Sequence, residues 1–152
     1  MDAPVRLVEE GPLDYLTLDY LAEVTMSIMQ KLKGRKPDAG YATDFIEFME
    51  RVLPSMKKKG VRIIANAGGV NQEACRRSLV AAARRAGEKK LRVGTVSGDD
   101  ILADLPELVK KGVLLRNMDD DRPLTAILHR VLSANVYLPT RGMVDALDDG
   151  AE

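Results

Sequence analysis

Val61-Arg62-Ile63-Ile64-Ala65-Asn66-Ala67-Gly68-Gly69-Val70-Asn71 is the stretch from which the fold is read. A β-branched apolar run ends at Asn66, two glycines follow, and Asn71 opens a long helical pattern. That is a strand, a tight turn and a helix start in succession. In α/β proteins, ligands bind at such carboxyl ends of strands. Glycines let backbone N–H groups approach a ligand or adopt positive φ, and a helix N-terminus favours an anion. The spacing fits neither the dinucleotide fingerprint nor the P-loop. The stretch therefore marks a place and leaves the ligand open.

The 152 residues suit a single domain with a real core. Lys+Arg and Asp+Glu are equal at 23 each, so no basic excess points to nucleic acid. Aromatic residues make up 4% of the chain and there is no Trp, which also argues against base stacking. No apolar run has the length of a membrane span. Met1-Asp2-Ala3-Pro4 lacks the basic and apolar regions of a signal peptide. Cys75 is the one cysteine, which excludes an intramolecular disulfide and a cysteine-rich zinc site. A soluble, reducing, cytoplasmic setting is the expectation.

Outward from 61–65, helical and strand patterns alternate. Residues 3–10 predict a short helix ended by Gly11, and residues 13–20 a strand. Leu21, Val24, Ile28 and Leu32 share one helical face, and 34–40 reads as a loop. Phe45, Phe48, Met49, Val52, Leu53 and Met56 predict the clearest amphipathic helix. Thr43 or Asp44 should cap it, Pro54 should kink or divide it, and Gly60 should end it. Residues 71–86 predict a helix with Cys75, Leu79, Ala82 and Ala86 inward and its arginines mostly outward. Residues 91–96 and 113–116 read as strands, and 101–111 as a helix restarted at Pro106. A helix fits 124–132, a strand fits 131–138 equally, and 143–147 closes the pattern with a short helix. This order predicts an α/β fold: a mostly parallel sheet with helices on both faces. An open three-layer sandwich is the first form, and part of a β/α barrel the alternative.

Six motifs stand in order: Leu13-Asp14-Tyr15-Leu16, Asp19-Tyr20-Leu21-Ala22-Glu23-Val24-Thr25, Gly40-Tyr41-Ala42, Asn66-Ala67-Gly68-Gly69-Val70-Asn71, Gly98-Asp99-Asp100 and Leu132-Ser133-Ala134-Asn135-Val136-Tyr137-Leu138. Together they resemble the N-terminal domain of the acyclic terpene utilisation family, the AtuA-like proteins. The resemblance implies a part in bacterial breakdown of acyclic terpenes such as citronellol and geraniol, through acyl-CoA intermediates. It implies a pathway, not a reaction. At both ends the chain departs from the family pattern, and Pro139 stands where the family tends to have Gly after Tyr-Leu. The expectation is an internal piece of a longer family domain.

Asn66, Gly68, Gly69 and Asn71 are candidates for holding an anion or a carbonyl. The plainer reading is a βα turn with Asn71 as helix cap. Glu73, in the first helical turn, would repel an anion. Asp99 and Asp100 follow a strand pattern and could bind Mg²⁺ or act as a base; alternatively they open the next helix. Asp19 and Glu23 close the first strand and open its helix, and Asn135 and Tyr137 border the same face if the strands are parallel. Cys75 reads as a buried structural thiol, and His129 as a surface or helix-face residue.

The first functional expectation is an enzyme domain acting on a carboxylated or acyl-CoA-linked terpenoid. There Asn66 and the Gly68-Gly69 amides hold a substrate oxygen, and Asp99 or Asp100 is an acid–base group or metal ligand. The alternative is a non-catalytic fragment or subunit completed by another chain, through its exposed sheet edge. The expected partners are a small-molecule substrate and a homo-oligomeric or complementing chain, with neither nucleic acid nor membrane; cofactor and metal stay open.

Overall fold

The computed structural model describes residues 2–152, with the side chain of Glu23 outside the description. In chain order the elements are α1 Ala3–Glu10, β1 Tyr15–Leu18, α2 Glu23–Arg35, α3 Thr43–Lys59, β2 Arg62–Ala65, α4 Gln72–Arg85, α5 Leu105–Lys110 and α6 Arg141–Asp148, with 3₁₀ turns at Leu102–Asp104, Leu124–Ala126 and Leu128–Arg130. Two compact units form: residues 2–96 with Thr140–Glu152, and Ser97–Pro139.

The first unit is built around α3. Its Phe45, Phe48, Met49, Val52, Leu53 and Met56 are all buried, as their spacing predicts. Each such side chain contributes roughly 1.5–3 kcal/mol by leaving water. Phe45 lies edge-on to Tyr20 with ring centroids 5.7 Å apart. Two local expectations are corrected. Pro54 does not divide α3, which runs unbroken to Lys59 with Pro54 on its exposed side. Neither Thr43 nor Asp44 caps it, because both already lie within the helix and Ala42 occupies the cap position. Gly60 ends α3 with φ +72°, a conformation that glycine adopts without a Cβ penalty. The ammonium of Lys59 then reaches α1 and donates to the carbonyls of Val8, Glu9 and Gly11 at 3.1, 3.2 and 2.7 Å. Those are C-terminal carbonyls that a helix leaves unpaired.

β1 and β2 pair in parallel, with Tyr15 opposite Arg62, Leu16 opposite Ile63, Thr17 opposite Ile64 and Leu18 opposite Ala65. Because side chains alternate, Leu16, Leu18, Ile63 and Ala65 share the face that packs into the core. Tyr15, Thr17, Arg62 and Ile64 form the other face and lie outside the core, with Arg62 over the Tyr15 ring. The α/β character and the parallel pair are therefore present, while two strands make neither a three-layer sandwich nor a barrel.

The strands expected at 91–96 and 113–116 do not form. Alternation alone makes a strand-like sequence, but a strand exists only with a hydrogen-bonded neighbour. Arg92 bonds instead to Glu152, after α6: its carbonyl accepts the Glu152 N–H at 3.0 Å. Residues 113–116 lead into a turn, where Arg116 bridges Pro123 and Asp121 takes φ +59°. The face expected to bury Leu21, Val24, Ile28 and Leu32 is also not the inner one. Val24, Ile28 and Leu32 are exposed; Met29 is the buried side chain of α2, and Leu21 and Met26 pack against the core while partly buried.

In the second unit the expected helix 124–132 is two 3₁₀ turns, and strand 131–138 is reduced to one antiparallel bridge, Asp100 to Asn135. Among its described residues Leu105 is the one buried hydrophobic side chain. Leu114, Met118, Leu132 and Tyr137 are exposed. Among the described residues of both units, no helix is long and apolar enough to cross a membrane.

Candidate functional site

The register of the sheet determines which polar residues meet. Leu18 pairs with Ala65, so the next residues, Asp19 and Asn66, emerge side by side at the carboxyl ends of β1 and β2. The Asn66 carboxamide donates to Asp19 Oδ1 at 2.7 Å, and its own Oδ1 accepts the Tyr20 N–H at 2.6 Å. The Leu21 N–H also donates to Asp19 Oδ1, at 3.0 Å. The Asn66 donor, then the Leu21 amide, hold the Asp19 carboxyl below its ordinary range. Both residues are exposed. One of the two Asn66 Nδ2 hydrogens serves Asp19.

The glycines next to this pair have distinct roles. Gly69 takes φ +53°, and a Cβ there would lie 2.3 Å from Met29 Sδ and 2.7 Å from the Gly40 carbonyl oxygen. Its N–H donates to the Asn66 carbonyl at 3.2 Å, so the close approach made by Gly69 is to the protein's own backbone. Gly68 is half-buried over the start of α4, where a Cβ would meet Gln72 at 2.9 Å. Its carbonyl accepts the Asn71 N–H. Asn71 is the N-cap of α4: its Oδ1 accepts the Ala74 N–H at 3.4 Å, while Nδ2 donates to the Pro37 and Ala39 carbonyls, each at 2.8 Å. This side chain thus holds a loop against a helix start. Glu73 is ion-paired to Arg76 and Arg77, at 2.8 and 3.8 Å, so its charge in the first turn is locally compensated.

Glu23 begins α2, and its side chain lies outside the described residues. In the second unit, Asp99 Oδ2 accepts from Asn135 Nδ2 at 2.9 Å, and the Asp99 carbonyl accepts the Val136 N–H. Asp100 Oδ1 accepts the Leu102 N–H at 3.0 Å, the local turn bond that opens a helical segment. Tyr137 is almost wholly exposed. Cys75 is buried on the inner side of α4, and burial pushes its thiol up to about 11. His129 is exposed. Among the described residues no group of three or more His, Cys, Asp or Glu side chains could hold a metal ion.

A family model described as acyclic terpene utilisation family protein AtuA matches residues 1–152. The chain belongs to that family. No curated protein and no solved structure matches it.

Several motifs that carried the resemblance to AtuA in the sequence turn out to be joined to one another. Gly40-Tyr41-Ala42, for which sequence reasoning found no role, closes on the turn after β2. The Gly40 carbonyl accepts the Val70 N–H at 3.0 Å, and the Ala42 N–H donates to the Ala67 carbonyl at 2.9 Å. Tyr41 hydrogen-bonds Ser78 of α4 at 2.7 Å, and Lys33 donates to the Val70 carbonyl at 2.6 Å. The turn of this AtuA chain is therefore fastened from α2, the loop before α3, and α4. The available signal was Gly40 alone, whose φ of +100° requires glycine.

Proposed function

We propose that the chain binds the oxygen-bearing end of an acyclic terpenoid, carboxylated or linked to coenzyme A, at the carboxyl ends of β1 and β2. The observation that carries this reading is the Asp19–Asn66 pair, held by main-chain N–H groups at a sheet edge where α/β proteins place ligands. The second Asn66 amide hydrogen and the Gly68 N–H would hold a carbonyl oxygen. Asp19 would accept from a hydroxyl or protonated group; because a second anion there would be repelled, the uncharged carbonyl of the thioester is favoured over a free carboxylate. Membership of an acyclic terpene utilisation family supports a terpenoid as the substrate class. In the second unit, Asp99, steadied by Asn135, is the better candidate for an acid–base group or metal ligand, because Asp100 is engaged in its local turn.

Thermal shift with citronellate and its coenzyme A thioester tests the reading, because a ligand that binds only the folded state raises apparent stability. A rise that is lost in Asn66→Ala and in Asp19→Asn is expected. A rise retained in both variants, or none with either compound, rejects the site. Asp99→Asn then separates the second assignment: it should lower turnover or metal dependence in a longer family member while the fold is kept.

A further inference from the structure

We propose that Lys33 is a positioning residue for the ligand site at Asp19 and Asn66: it pins the 66–71 turn to α2 and so fixes where the Asn66 carboxamide points. This role rests on the ligand reading above and deepens it. Leu18 and Ala65 are the last paired residues of the two strands. Beyond them the Tyr20 N–H goes to Asn66 Oδ1 at 2.6 Å, and the Asn66 carbonyl turns to the Gly69 N–H at 3.2 Å. In a continued parallel ladder that carbonyl would take its donor from the neighbouring strand. The course of the turn, and not the sheet, therefore directs the Asn66 side chain.

α2 touches both halves of the site. Its lead-in holds Asp19, whose Oδ1 accepts the Leu21 N–H at 3.0 Å. One helical turn apart, Met29 and Lys33 share a face and reach the 66–71 turn. Met29 is buried, and its Sδ occupies the space that a Gly69 Cβ would need. Lys33 Nζ donates to the Val70 carbonyl at 2.6 Å. Because the Asn71 side chain takes the Ala74 N–H, the Val70 carbonyl meets an ammonium in place of a helical amide. A charged donor makes the stronger bond, and this one is half-buried. The Val70 N–H is held by the Gly40 carbonyl at 3.0 Å, and an added Cβ on Gly40 would sit 3.0 Å from the Lys33 Cβ. Lys33 thus grips the turn at its end, while Met29 supports it at Gly69. Release at Val70 leaves the turn free to shift, and the Asn66 donor shifts with it.

Titration of the Asp19 carboxyl by NMR reads this directly, without a ligand. In Lys33→Met the Asp19 midpoint should rise toward 3.8, in the same direction as in Asn66→Ala but by less. Lys33→Arg, which keeps a charged donor, should bring it back toward the parent value. Lys33→Gln keeps a shorter neutral donor, gives a smaller rise than Lys33→Met and serves if that variant does not fold. Lys59→Met is the control: it removes the ammonium that binds carbonyls of α1, and should lower stability while leaving Asp19 where it is. Calorimetry with the coenzyme A thioester of citronellate should show about tenfold weaker binding by Lys33→Met, recovered in Lys33→Arg. An Asp19 midpoint unchanged in Lys33→Met and Lys33→Gln overturns the proposal, as does an equal rise in Lys59→Met. So does undiminished thioester binding by Lys33→Met. A parent chain that does not bind the thioester at all rejects the ligand reading instead, and the titration still decides whether Lys33 positions Asn66.

Discussion

Asn66 and Asp19 follow paired strands by one residue each and are joined by a 2.7 Å hydrogen bond in which the carboxamide is the donor. The pairing follows from register, since a slip of one residue would turn one of the two to the opposite face. It also prepares both groups: Asn66 is oriented by the Tyr20 N–H, and Asp19 is kept ionised by two donors.

Removing the carboxamide should therefore be visible in the acid. In Asn66→Ala, the carboxyl of Asp19 loses its principal stabilising donor and should titrate closer to the ordinary value of 3.8. The Leu21 amide keeps it from moving the full distance. Side-chain carboxyl chemical shifts followed through an acid titration measure this. An Asp19 midpoint identical in the two proteins would mean that the hydrogen bond has no weight in solution.

Much of this arrangement is legible in the sequence, and the reason differs from element to element. The strand 61–65, the turn after it and the helix from 72 are local events, written in β-branched residues, two glycines and an Asn cap. The inward stripe of α3 is likewise local, because period 3.6 is fixed by the helix itself. Residues 91–96 have equally good local character, yet whether they join a ladder depends on the residue that lies next to β2, and here that is Glu152. The stripe Val24, Ile28, Leu32 misleads for a related reason: periodicity identifies an apolar face but not whether anything packs on it. Of the candidate site, Asp19 and Asn66 were each recognisable, whereas their direct bond required the register. Asn71 was legible as a cap, but the clasp it makes on Pro37 and Ala39 joins segments too far apart in sequence for any local signal.

Gly69 should tolerate no side chain. Gly69→Ala requires a left-handed backbone that alanine adopts at a cost, and places its methyl against Met29 and the Gly40 carbonyl. Backbone strain of this kind costs about 1–3 kcal/mol before the clash is added. A loss at the upper end of that range is expected in urea denaturation. Gly60→Ala is the matched control, with φ +72° and open space around it, and should show the strain alone. Equal losses in the two variants would mean that the tight packing at Gly69 contributes nothing.

Cys75 should be inert in the folded chain. Its thiol is buried and pushed up to about 11, so at pH 8 roughly one molecule in a thousand carries the reactive thiolate. Labelling by a disulfide reagent should be slow under native conditions and rapid in denaturant. Cys75→Ser should lower stability by leaving a hydroxyl in an apolar setting. Fast native labelling would contradict the packing of α4 against the core.

The ion pair between Lys57 and Glu152 should make stability depend on pH in a defined direction. Partial burial disfavours the Glu152 carboxylate, but the Lys57 ammonium and the Arg92 amide outweigh that effect and lower its pKa below the ordinary 4.5. A carboxyl with a depressed folded pKa contributes stability that is present above its unfolded pKa and lost as pH falls through the folded one. The two side chains are 31% and 25% exposed, so the pair is better shielded than a fully solvated one, and about 1 kcal/mol is a reasonable size. Lys57→Met keeps the chain length and removes the charge. At pH 7 the variant should be less stable than the parent by about that amount. As pH falls below 4.5 the difference should shrink, because the parent's carboxylate is then protonated as well. Urea unfolding of both proteins at pH 7 and at acid pH measures the two gaps. A gap of the same size at both pH values would assign the loss to packing of the lysine stem and not to the ion pair.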